Sequence, residues 1–70
     1  MKLRARVARN VRALRERSGL SQEDLADLAH LHPTYLSGIE NGRRNPTLDV
    51  LERLAAALGV EAPVLLAIDG

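Results

Sequence analysis

The sequence contains no cysteine, no phenylalanine and no tryptophan, and Tyr35 is its single aromatic residue. Without cysteine there is no disulfide, no thiolate zinc site and no cysteine nucleophile. Without large rings the core has to be built from Leu, Val, Ile and Ala, which favours closely spaced helices. Long apolar runs are missing too. Nothing approaches the roughly 18 apolar residues of a membrane span, and the opening MKLRARVARNVRALRER interleaves arginine with apolar side chains where a signal peptide would be continuously apolar. The expectation is a cytoplasmic protein with no membrane partner, whose core holds by packing alone.

With 46% hydrophobic and 27% charged residues, the composition is that of a chain that folds. Seventy residues leave room for one domain, residues 1–70. A core of that size rarely supplies more than about 3 to 5 kcal/mol, so a partner subunit would help. The net charge of +1 hides an asymmetry. Residues 1–17 hold seven basic side chains and one acid, net +6, and the other 53 hold three basic against eight acidic, net −5. A basic segment on a near-neutral protein is a footprint for a polyanion, although a solvated arginine-rich face has the same composition.

Leu3, Val7, Val11 and Leu14 recur once per turn and predict an amphipathic first helix, stopped after Arg17 by Ser18-Gly19. Ser21, with Asp24 three residues on, reads as the cap of a second helix starting at Gln22, whose apolar face is Leu25, Ala26, Leu28 and Ala29. Pro33 is suited to the first position of a helix and His32 to its cap, so a third helix runs from Pro33 to about Asn41 with Leu36 and Ile39 inward. Thr47 caps a fourth, lined by Leu48, Leu51, Leu54, Ala55 and Leu58 and ended by Gly59. A short fifth begins near Pro63. No segment alternates with period two, so the fold class is all-α, five short helices.

Two short helices joined by a tight turn, the second presenting small and polar side chains, fit the geometry that sets a recognition helix in the DNA major groove. The run SQEDLADLAHLHPTYLSGIENGRRNPTLDVLERLAAALGV closely resembles the helix-turn-helix domain of the Cro and phage-repressor class, the XRE family. The resemblance covers about residues 7–66, with the motif at about 22–41. Its markers are Gln22, Ala26, Leu36, Ile39, Glu40, the stretch NGRRNPT and the AALGV ending. Small controller proteins of restriction-modification systems resemble it further in TYLSGIENGRRNPT. Two positions depart: His30 stands where the family often has glycine, and Pro33 where several controllers carry arginine.

The resemblance implies double-stranded DNA as partner. Gln22, at a helix N-terminus, is where the family meets a phosphate, and helix N-termini suit anions. With Leu36 and Ile39 inward, the recognition face is His32, Pro33, Thr34, Ser37 and Gly38. The hydroxyls of Thr34 and Ser37 can meet base edges, and Gly38 permits close approach. The Tyr35 ring packs partly on the domain while its hydroxyl reaches a phosphate, with a purely structural tyrosine as the competing assignment. Asn41, Arg43 and Arg44 follow in a polar loop, where arginine forks match phosphate and guanine. The family also pairs Arg15 with Glu40 in a structural ion pair. His30 and His32 form an H-x-H, but no cysteine or acid cluster completes a ligand set, so neither metal nor cofactor is expected.

The function expected is a sequence-specific transcriptional regulator, a homodimeric autorepressor or controller on a pseudo-palindromic operator. Val64, Leu65 and Ile68 in the apolar tail are the candidate dimer surface, with ordinary core as the competing assignment. The rival function is an antitoxin or adaptor that acts through a protein partner, to which the acidic second helix (Glu23, Asp24, Asp27) would contribute. An enzyme is not expected, because no nucleophile–base pair, paired acids or glycine-rich phosphate loop is present.

Overall fold

The computed structural model describes residues 2–68. The stripe at the start of the chain folds as α1, Leu3–Arg17, and buries Val7, Ala8 and Val11. Gly19, at φ +71°, turns the chain away from it. Ser21 then caps α2, Gln22–Leu28, with a reciprocal box: its hydroxyl accepts from the Asp24 N–H and the Asp24 carboxylate accepts from the Ser21 N–H. After a four-residue turn, Pro33 opens α3, Pro33–Glu40. Thr47 caps α4, Leu48–Leu58, accepting from the Val50 N–H at 3.1 Å, and Gly59 ends it in the left-handed region.

Four α-helices are therefore present among the described residues, and the fifth expected helix is a 3₁₀ segment, Ala62–Leu66. With Pro63 near its start and only five residues, it closes i→i+3 bonds such as Val64 N–H to Glu61 C=O, where an α-helix would need a longer run. The Asn10 side chain fastens it to α1, its amide donating to the carbonyls of Leu65 and Ala67 at 2.9 Å each. Among the described residues no helix is long and apolar enough to cross a membrane.

The core lies where the four α-helices and the 3₁₀ segment converge on Val11, Leu25, Leu36, Ile39, Leu54 and Leu65, all fully buried. Each such leucine contributes about 1.5 to 3 kcal/mol of burial, so a few side chains carry a domain this small. Four apolar positions differ from the expected pattern. Leu3, Leu28 and Leu48 are exposed, and Val50 is buried beside Leu51 where Leu48 is expected. Leu3 and Leu48 are the first residues of α1 and α4 and Leu28 is the last of α2, so each stands at a helix end. Leu65 cannot be a dimer contact of the folded chain, because it is a core residue; its neighbours Val64 and Ile68 remain 41% and 77% exposed.

Candidate nucleic-acid interface

The turn between α2 and α3 is built on His30, which holds φ +57° and is the non-glycine residue with positive φ among those described. A left-handed conformation costs a side chain roughly 1 kcal/mol or more, which is why glycine is common at such a position. The turn is closed by the Leu31 N–H to Ala26 C=O bond at 2.8 Å, and Arg53 reaches across from α4 to the His30 carbonyl at 3.4 Å. His32 caps α3 with its ring: Nδ1 accepts from the Thr34 N–H at 3.1 Å. That nitrogen needs its lone pair for the bond, so the proton of the neutral ring sits on Nε2. Among the described residues no group of three or more His, Cys, Asp or Glu side chains is placed to hold a metal.

α3 has two unlike sides. Inward, Leu36 and Ile39 are in the core, and Glu40, 4% exposed, is the one buried charged residue among those described. Its carboxylate is fully engaged. Arg15 donates to it twice, Nε to Oε2 at 2.8 Å and Nη2 to Oε1 at 3.0 Å. Gln22 Nε2 donates to Oε1 at 3.1 Å, and Arg12 Nε lies 3.6 Å from the same oxygen. The third arm of Arg15, Nη1, donates to the Leu20 carbonyl at 2.8 Å. The hydrogen bond to Glu40 holds the Arg15 guanidinium above its ordinary value, outweighing the burial that would lower it. The pair staples α1, the start of α2 and the end of α3 into one unit.

Outward, Pro33, Thr34 and His32 are exposed, with Ser37 and Gly38 half-buried beside them. Among the described residues the Thr34 hydroxyl and His32 Nε2 have no hydrogen-bond partner within the protein, and neither have the guanidinium groups of Arg43 and Arg44. Tyr35 is half-buried and packs against the core. Unpaired donors thus line one side of α3 and the loop after it.

Four expected site residues, Gln22, Ser37, Gly38 and Asn41, are already engaged within the fold. One N–H of the Gln22 amide goes to Glu40, leaving its second N–H available. Asn41 uses both ends of its amide, accepting from Arg12 Nη2 and donating to Ser37 Oγ, each at 3.4 Å. Gly38 does not offer the open approach expected of it, because Arg44 occupies that space: a Cβ there would stand 2.5 Å from Arg44 Cγ. Sequence reasoning missed the roles of Asn10 and Arg12. Neither has a local signature, since both act across more than twenty residues of chain.

This arrangement of two helices and an intervening turn coincides with that of known proteins. The helix-turn-helix family pattern matches residues 11–65. The control protein C.SmaI of Serratia marcescens is 43% identical over 70 residues, covering 100% of this chain and 83% of that protein. The restriction-modification controller protein C.AhdI from Aeromonas hydrophila superposes with a TM-score of 0.86 at 40% identity, over 89% of this chain and 94% of that one. The hypothetical transcription factor NHTF from Neisseria superposes with a TM-score of 0.91 at 47% identity, over 94% of this chain and 76% of that one. With a pattern spanning most of its length and a relative aligned from end to end, the chain belongs to the XRE-type helix-turn-helix family of DNA-binding transcriptional regulators.

Proposed function

We propose that the protein is a homodimeric controller or autorepressor that reads a pseudo-palindromic operator through the outward side of α3. The observation that carries this reading is the set of unpaired donors at His32 and Thr34, at the start of a helix whose other side is locked into the core, and at Arg43 and Arg44 in the loop that follows it. A rigid helix presenting free hydrogen-bonding groups suits the major groove, where base edges display distinct donor and acceptor patterns. Thr34 makes base contacts by its hydroxyl and its methyl group, Arg43 holds phosphate, and the second N–H of Gln22, aimed by Glu40, meets a phosphate at the N-terminus of α2. Likeness to relatives named as control proteins supports the regulatory role.

Val64 and Ile68 flank a groove with Ala13 and Leu14 of α1, and this exposed apolar surface is where a second copy would pack. In such a dimer two recognition helices address half-sites about 34 to 36 Å apart, and occupancy follows protein concentration because dimerisation and binding are coupled. The test is selection from a random duplex pool at physiological salt, where nonspecific affinity has weakened to roughly 10⁻⁴ to 10⁻⁶ M. An enriched inverted repeat is the expected result. Retention without a motif would reduce the protein to a nonspecific DNA binder. Failure to retain DNA would favour a protein partner, for which the exposed acids of α2 beside Leu28 are the available surface.

A further inference from the structure

Gly38 stands in the middle of the outward side of α3, one turn after Thr34 and opposite the buried Leu36, Ile39 and Glu40. A glycine there should leave a bare patch of backbone, and alanine would make the better helix. Gly38 is nonetheless only half exposed. Its cover is Arg44. An added Cβ would lie 2.5 Å from Arg44 Cγ, 3.5 Å from Nε and 3.6 Å from Cβ, so the arginine stem runs directly over the glycine. The backbone draws the loop into that position, since the N–H groups of Arg43 and Arg44 both donate to the Gly38 carbonyl, at 2.8 and 3.2 Å.

We infer that Gly38 is a positioning residue for DNA specificity: by lacking a side chain it seats Arg44 across the recognition helix, and Arg44 reads a guanine in each half-site. The inference rests on the DNA-reading function proposed above. The loop supplies the side chain that position 38 omits, and the supplied group is a planar fork of the kind that meets guanine O6 and N7 together. Packing of the stem on the helix restricts the rotamers of a flexible residue before DNA arrives, which lowers the ordering cost of binding. The Arg44 guanidinium has no hydrogen-bond or ion-pair partner among the described residues, so its donors are available. The atoms nearest an added Cβ at Gly38 all belong to Arg44 and none to Arg43, whose part is the backbone phosphates.

The experiment uses the operator obtained by selection and a panel carrying each single base-pair substitution in a half-site. Wild type, Gly38→Ala, Arg44→Ala, Arg44→Lys and the Gly38→Ala/Arg44→Ala double variant are titrated against the panel, and each is melted. Arg44→Ala should weaken operator binding by about tenfold or more per half-site and erase the preference at one guanine, as expected for a lost bidentate contact. Arg44→Lys should restore little of it. Gly38→Ala should erase the same preference while its melting temperature holds or rises, and the double variant should bind no worse than Arg44→Ala alone. Unchanged binding by Gly38→Ala, losses that add in the double variant, or a weakening equal for every DNA sequence would each overturn the inference. If wild type itself enriches no motif, the DNA-reading function fails first and the inference falls with it; if wild type reads its operator and the variants behave independently, the inference alone fails.

Discussion

The two sides of α3 are built on opposite principles. On the inward side every group has a partner: Leu36 and Ile39 are packed, and the Glu40 carboxylate takes hydrogen bonds from Arg15 and Gln22 with Arg12 close by. On the outward side Thr34, His32 Nε2 and the two loop arginines leave donors unpaired among the described residues, and Gly38 omits its side chain altogether. The difference separates the groups that hold the fold from the groups left open to a ligand. A buried polar group has to be satisfied within the fold, whereas an exposed one satisfied by water can exchange that water for a ligand. The same eight-residue helix can therefore be altered on one side for stability and on the other for binding.

The sharpest way to break this contrast is Glu40→Ala. It leaves the Arg15 guanidinium, half-buried and aimed at an empty position, without its counter-charge, and the loss of one partner of a buried pair costs about 3 to 5 kcal/mol. That equals the whole stability a core of this size supplies, so the variant is expected to be largely unfolded at 25 °C, as circular dichroism would record. The arginine side of the pair does not titrate in the neutral range. A folded-state value raised above the ordinary one means a contribution complete below the usual arginine range and lost only as pH climbs beyond it. A smaller effect of opposite sign is expected at His30. With φ +57° and an exposed side chain, His30→Gly relieves left-handed strain and should raise stability by up to about 1 kcal/mol in a denaturant titration, offset in part by the greater freedom of the unfolded chain.

Much of the inward side was legible from the sequence, because capping and periodicity are local. Ser21, Pro33 and Thr47 marked three helix starts, and Leu36 and Ile39 fixed the rotation of α3. The tail was less legible. In the run Val64-Leu65-Leu66-Ala67-Ile68 every residue is apolar, so no pattern distinguishes the one that turns inward. The two hydrogen bonds from Asn10 fasten that segment against α1, and they join residues 55 and 57 positions apart. The same limit applies to the outward side. Thr34 and the arginines could be named as candidates from residue type and place, but that Arg44 folds back over Gly38, and that Gln22 and Asn41 are tied into the fold, depends on contacts between elements. His30 lies between these cases: its place in a tight turn could be read, and its backbone strain followed from the residue that stands there.

The measurement that tests the account most directly is a paired melt and DNA titration of the Thr34→Ala/Arg43→Ala double variant. Both side chains are exposed and make no hydrogen bond within the described structure, so the melting curve should overlay that of the wild type. Specific binding to the selected operator should be lost, with only salt-sensitive, sequence-independent affinity remaining. An operator affinity that survives unchanged, or a melting temperature that falls as it would for an inward-facing residue, would contradict the division of α3 into a structural side and a reading side.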